Sequence, residues 1–442
     1  MVWDQRSLIR LLWPLIVEQL LAVTMGAMDT IMVSSVGEAA VSGVNIIDNI
    51  NNLFIIAFTA LCTGGTVVVS QYIGRGDGQS ARSASRQLYY VVIIAAVVVM
   101  IPVMIWRRSI IRLLYGAMEK DVADAASIYF LITAGSYPFL GIYNACAALF
   151  RSAGNSKVPM WIALMVNCTN IIGNGILIFG FGLGTKGAAI ATLISRIIAA
   201  SVLTAMLLRS RSSIGLKGLS RFSMNRSMIA RILNVGIPGG LESSMFQLGR
   251  LLTQRIFTVF GTAAMAGNAI ASVINSFSFM PGMAFSMGLL TVVGQCMGAG
   301  DIEGARQNTI RIMKLSWFTL FTLSGLIFIF LEPLIGIFHL GPEAHPMAKI
   351  FLQVHCISMV LGWTFSFALP NALRAAGDIR YVMIVATVSM FAVRVSSAYF
   401  ITFALGVGPL GVWIAMGLDF LVRGSCYFSR WKSGKWQGKK VI

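Results

Sequence analysis

Apolar residues along this chain fall into long blocks separated by short polar breaks. A helix needs about 20 apolar residues to cross the hydrocarbon core of a bilayer. Twelve stretches reach that length: 8–33, 46–73, 88–106, 124–149, 157–180, 186–208, 228–256, 264–297, 312–331, 347–371, 380–403 and 409–430. Several exceed a minimal span, which predicts tilt or protruding ends. The connections are mostly short, and no soluble domain is inserted. The longest polar stretch, 209–227, carries Arg209, Arg211, Lys217, Arg221 and Arg226 near the midpoint. It predicts a six-helix lobe over 1–208, a linker over 209–227 and a second lobe with a basic tail over 228–442. The expected fold class is all-α and polytopic.

Composition supports this pattern. Of 442 residues, 57% are hydrophobic and 11% charged, against about 25% charged in a soluble domain. A soluble enzyme fits that balance poorly. The net charge of +18 has no cluster of basic and aromatic residues that would suit nucleic acid. With the N-terminus inside, the cytoplasmic segments hold 24 Lys/Arg, the outer segments six and the spans four (Arg196, Arg250, Arg255 and Arg394). Both termini are therefore expected in the cytoplasm of a multi-pass cell-membrane protein. The tail from Arg430 to Lys440 should lie on anionic lipid. No cleavable signal peptide is expected, because Met1–Arg10 leads straight into a long apolar helix. The six cysteines lie in apolar segments without metal-ligand spacing and read as packing residues. His339, His345 and His355 read as a solvated loop, with none in the central span of a helix.

The chain repeats itself at an offset of 223–224 residues. Pro14 and Glu18 recur as Pro238 and Glu242. Gln71-x-x-Gly74-x-Gly76-Asp77 with Ala81-Arg82 recurs as Gln295-x-x-Gly298-x-Gly300-Asp301 with Ala305-Arg306. Arg151-x-x-Gly154 recurs as Arg374-x-x-Gly377, and Gly182-x-Gly184-x-x-Gly187 as Gly406-x-Gly408-x-x-Gly411. Six helices per repeat place both halves in the same orientation, so the pseudo-two-fold axis should follow the membrane normal. The expected substrate site is the cleft between the halves.

Ionisable groups within a bilayer are costly and mark function or pairing. The acids within spans are Glu18, Asp29, Glu242 and Asp419, with Asp48 near a helix start. Glu18 and Asp29 are eleven residues apart, within roughly 20° on one helix face, and Met25 shares that face. Asn167, Asn170 and Asn174 lie on one face of the fifth helix. By depth, Asp29, Asn174 and Thr192 all fall in the outer half. One acid, two amides (Asn170, Asn174) and a hydroxyl supply hard oxygen ligands suited to Na⁺. The same acid in a dry pocket would carry a proton instead. In the second half Asp29 aligns with Thr253 and Asp419 with Ser195. Arg394 and Asp419 flank the turn near Gly406 at similar depth, which predicts a structural ion pair.

At the Pro14-x-x-x-Glu18 to Met28-Asp29-Thr30 segment, the Gln-x-x-Gly-x-Gly-Asp loop and the Arg-x-x-Gly loop, the sequence resembles the multidrug and toxic compound extrusion (MATE) family. The resemblance covers essentially the whole chain. It implies a twelve-helix antiporter that exports organic cations against Na⁺ or H⁺. It also implies a coupling role for Asp29 and the polar pair on the fifth helix. Some relatives carry a second acid where this chain has Asn174, or an acid in the tenth helix, where 347–371 has none. That leaves Na⁺ or H⁺ open.

The expected coupling set is Asp29, Asn170, Asn174, Thr192 and Glu18. The expected cleft set is Glu242, Met25, Met28, Phe54, Phe277 and Met283, with Phe58 and Phe279 nearby, since Met and aromatic walls suit flat organic cations. Pro281 should kink the eighth helix. The glycine-aspartate loops follow helices and lack the Lys-Ser/Thr of a nucleotide loop. They read as helix stops, so no nucleotide, other cofactor or ATP hydrolysis is expected. The expected partners are small organic cations and membrane lipid, the working unit is a monomer, and nucleic acid is not a partner. The alternative within the same superfamily is a flippase for lipid-linked oligosaccharide or polysaccharide. It would need a row of cations such as Arg196, Arg250 and Arg255.

Overall fold

The protein is described from a computed structural model that covers residues 3–116, 119–219 and 222–442, apart from the Ala39 side chain. Arg221 of the expected linker lies outside the described residues. Within them the chain is helical, without a strand. Twelve rods follow one another. They are α1 (Gln5–Ser34), α2 (Glu38–Arg75), α3 (Gly78–Tyr115), α4 (Lys120–Gly135 continued by Tyr137–Ser152) and α5 (Lys157–Gly180). Then come α6 (Gly184–Arg209), α7 (Arg226–Val259), α8 (Gly261–Gly298), α9 (Ile302–Ile329), α10 (Ala344–Ala375), α11 (Ile379–Ala404) and α12 (Leu410–Lys432).

Each predicted stretch corresponds to one rod. Many rods extend beyond it, because polar helix ends continue past the apolar block. Among the described residues nine rods are long and apolar enough to cross a membrane, or ten with the two parts of α4. The remaining two, α7 and α12, carry Glu242, Arg250 and Arg255, and Asp419, Arg423 and Arg430, within otherwise apolar faces.

Proline accompanies two backbone irregularities. α4 bends by 46° between its two parts. Pro138 stands in the first turn of the second part, where its missing N–H interrupts the hydrogen-bond ladder. α3 departs from helical angles at Trp106, four residues after Pro102. α8 runs through Pro281 as one helix. Wide π turns occupy Gly175–Gly180 at the end of α5, Met359–Ala368 in α10, and Ser389–Val395 and Phe400–Ala404 in α11. Such turns concentrate at functional sites.

The chain divides into two compact units, Ile9–Ile237 and Pro238–Ile442, the residues up to Leu8 counting with the second. Ile47, Phe58, Phe130, Tyr137 and Ala189 fill the first core. Leu289, Phe351, Leu352 and Val382 are fully buried in the second. The linker is pinned to α3. Arg82 donates to the carbonyls of Ser212 and Arg211 (3.1 and 3.2 Å), Tyr90 to that of Leu219 (2.7 Å) and Gln87 to that of Ser223 (2.7 Å).

The glycine-aspartate loops are helix stops followed by helix starts. Gly76 and Gly300 adopt φ of 80° and 74°, a conformation that favours glycine. The next residue then caps the following helix. Asp77 accepts from the Ser80 N–H (2.9 Å) and Asp301 from the Gly304 N–H (2.7 Å).

Candidate functional site

In the first unit a hydrogen-bonded line joins three helices. Asn174 Nδ2 donates to Asp29 Oδ1 at 2.6 Å and to Asn170 Oδ1 at 3.2 Å. Asn170 Nδ2 donates to Thr192 Oγ1 at 3.2 Å. α1, α5 and α6 thus bring Asp29, Asn174, Asn170 and Thr192 together. Both asparagines are fully buried, and Asn174 Oδ1 has no hydrogen-bond partner. An acceptor left unmade inside a protein costs about 1–3 kcal/mol. It marks the place where a cation or a proton donor would be received. Asn167 on the same face bonds the Ala163 carbonyl instead (2.9 Å).

A second polar group adjoins this line; its members Asp48 and Arg196 were named from the sequence but not grouped with Asp29. Asp48 Oδ1 accepts from Tyr129 (3.3 Å), and Tyr137 donates to Asn51 Oδ1 (2.7 Å). Arg196 donates to Ser136 Oγ at 2.6 Å, and its charge acts on both Asp29 and Asp48. Arg196 therefore sits among acids. Its i, i+4 spacing from Thr192 on α6 was the signal available in the sequence.

Glu18 is not part of the Asp29 line. It lies eleven residues earlier on α1, about 16 Å along the axis at 1.5 Å per residue. There it accepts from Arg151 at 2.7 Å. Glu242 does the same in the second unit, held by Arg374 at 2.6 and 2.5 Å on its two oxygens. The expected cavity acids are thus the two halves of a duplicated ion pair. The sequence repeat contained both partners, Pro-x-x-x-Glu and Arg-x-x-Gly, without showing that they meet.

The predicted Arg394–Asp419 ion pair is corrected. Asp419 is fully buried, pairs with Arg423 one turn along α12, and accepts from Ser389 Oγ at 2.5 Å. A partner at i+4 on the same helix needs no alignment between helices and wins over one across a turn. Arg394 feels the Asp419 charge without an ion-pair contact and lies over the Phe246 ring, 5.5 Å from its centroid. Arg423 lies over Phe246 and Phe367 at 5.6 and 4.7 Å.

His355 also departs from expectation. It is buried in α10, with Nε2 2.9 Å from Ser278 Oγ and its ring edge-on to Trp413. Its Nδ1 has no partner, so no acid orients it as a catalytic base would need. Of the expected cleft residues, Met28, Phe277 and Met283 are exposed and Met25 and Phe54 half-buried, while Phe58 is buried against Tyr137.

Comparison with known proteins follows the same division. The MatE family profile matches residues 14–176 and 238–400, stretches that start 224 residues apart. The chain is 29% identical to the transporter YisQ of Bacillus subtilis, over 97% of this chain and 94% of that protein. It is 28% identical to the probable multidrug resistance protein NorM of Thermotoga maritima, over 99% and 94%. A crystal structure of a MATE in the bent conformation superposes with a TM-score of 0.91 at 20% identity, covering 98% of this chain and 96% of that one. That agreement shows the fold, twelve helices in two bundles. With both repeats matched and the relatives covered almost end to end, the chain belongs to the MatE family and is a multi-pass membrane transporter rather than an enzyme.

Proposed function

We propose that the protein is an antiporter that exports organic, mainly cationic, drugs and toxic compounds by alternating access, driven by Na⁺ or H⁺. The observation that carries this is the Asp29–Asn174–Asn170–Thr192 line, a carboxylate, two amides and a hydroxyl ending in an unpartnered buried oxygen. Asp29 takes the charge of the coupling ion. Asn174 Oδ1 and Thr192 Oγ1 complete an oxygen set for Na⁺, or, with H⁺, Asn174 holds the carboxyl in place. Coupling follows if the ion prefers one state of the transporter over the other. The name of the Thermotoga relative supports the drug class. In this reading both termini are cytoplasmic, the protein works as a monomer in the cell membrane, and its partners are organic cations and lipid.

The test uses proteoliposomes loaded with a fluorescent organic cation, under a Na⁺ gradient or a H⁺ gradient alone. Wild type should move the dye under one of them, and Asp29→Asn should lose at least tenfold of that flux. Flux without any gradient dependence would remove coupling. Full flux in Asp29→Asn would remove Asp29.

A further inference from the structure

The polar centre of the second unit has the opposite sign from that of the first. Around Phe246 three guanidiniums, Arg250, Arg394 and Arg423, accompany one carboxylate, Asp419. The Asp419 carboxylate attracts Arg394, while Arg423 and Arg250 repel it. Arg394 is only 8% exposed. Among the described residues it makes no ion pair or side-chain hydrogen bond, and its buried Nε has no partner. Arg423 is paired through one nitrogen, while its Nε is likewise buried without a partner. One carboxylate for two buried guanidiniums leaves positive charge uncompensated, which is expensive, and such groups within a span are functional by default. Arg250 is exposed and stands one turn from Phe246 on α7, so the cluster reaches the surface of its unit.

Position in the repeat points the same way. At the offset of 224 between the two family matches, Asn170 corresponds to Arg394, Asp29 to Thr253 and Ser195 to Asp419. Arg394 therefore occupies the place that Asn170 holds in the line of the first unit. A π turn borders each of them, Gly175–Gly180 beside Asn174 and Ser389–Val395 around Arg394.

We infer that this second centre, formed by Arg394 and Arg423 with Arg250 at its entrance, is an anion site that takes the carboxylate of a transported organic compound. This deepens the export reading and rests on it: compounds carrying both a cation and a carboxylate are preferred cargo. The guanidinium fork matches an oxyanion in two parallel hydrogen bonds, and the Phe246 and Phe367 rings hold the forks in place.

The test is a binding measurement that needs no gradient. Rhodamine 110, with a free carboxylate, and rhodamine 123, its methyl ester, are titrated with full-length protein in neutral detergent and followed by anisotropy. Wild type should bind the carboxylate dye at least tenfold tighter than the ester. Arg394→Met should bring that ratio towards one, and Arg394→Lys should retain part of it. Equal affinities in wild type, or a ratio unchanged in Arg394→Met, would overturn the inference. Should Arg394→Met fail to fold, competition decides on wild type alone. Benzoate must displace the carboxylate dye and leave the ester bound, and a failure to do so overturns the site. Displacement by phenyl phosphate but not by benzoate would overturn the carboxylate assignment. Failure of the export reading shows separately, as neither dye moving under a Na⁺ or H⁺ gradient.

Discussion

The duplicated ion pair gives the sharpest test of how the structure holds its helices. Glu18–Arg151 and Glu242–Arg374 join α1 to α4 and α7 to α10. Their side chains are 8% and 14%, and 15% and 14%, exposed. Two unit charges about 4 Å apart attract by about 4 kcal/mol at an effective dielectric of 20. Removing one partner from a buried pair costs about 3–5 kcal/mol, because the survivor stays charged and unpaired. Replacing both with neutral groups costs far less. Arg151→Met alone should therefore lower the midpoint of thermal unfolding by about 6–20 °C, at about 2–4 °C per kcal/mol for a unit of this size. Glu18→Gln with Arg151→Met should recover most of that loss. Cys62 and Cys146 are buried, so a thiol-reactive dye reports when the first unit opens. The exposed Cys168 must first be replaced by Ser, and the second-unit cysteines likewise. The same cycle at Glu242 and Arg374 reads out through Cys296 and Cys356. If the double variant is no more stable than the worse single one, the pair contributes no coupling and the reasoning fails.

Two further outcomes follow from the same geometry. A charge swap of Asp419 with Arg423 should retain more folded protein than a swap of Asp419 with Arg394, read as the monodisperse fraction in gel filtration. The opposite order would restore the cross-helix pairing. A side chain at Gly64 would collide with the Ile232 carbonyl, where α2 lies against α7 within the first unit. Gly64→Leu should therefore cost at least about 1–3 kcal/mol, measured as lost thermal stability, whereas Gly26→Leu, with open space around it, should cost little.

The spans were legible because apolar blocks of this length have few other uses, and α7 and α12 remained legible despite their charges. The break in α4 was not, because hydrophobicity runs unbroken across Ser136 and only Pro138 marks it. Asp29, Asn170, Asn174 and Thr192 could be grouped from helical spacing and depth, quantities that a straight helix fixes locally. Glu18 was grouped wrongly because a shared helix face says nothing about the 16 Å between two turns. Its partner Arg151 comes from another helix, and only packing decides that. Depth also placed Arg394 beside Asp419, but Arg423, four residues along α12, was the nearer rival. His355 was read as solvated because a polar residue near a helix end can point inward or out.

What the two halves share and what they do not share separates stability from chemistry. The glycine stops, the aspartate caps and the Glu–Arg pairs occur in both, with the same partners. All of these satisfy groups that any such helix bundle would leave open. The residues that differ, Asp29 against Thr253 and Asn170 against Arg394, stand where polar groups are left over after the frame is complete. A frame that tolerates an acid in one copy and a guanidinium in the other does not depend on either for its fold. These positions were free to differ in charge between the copies. That freedom explains why the first unit ends in an unpartnered oxygen and the second in unpartnered guanidinium nitrogens.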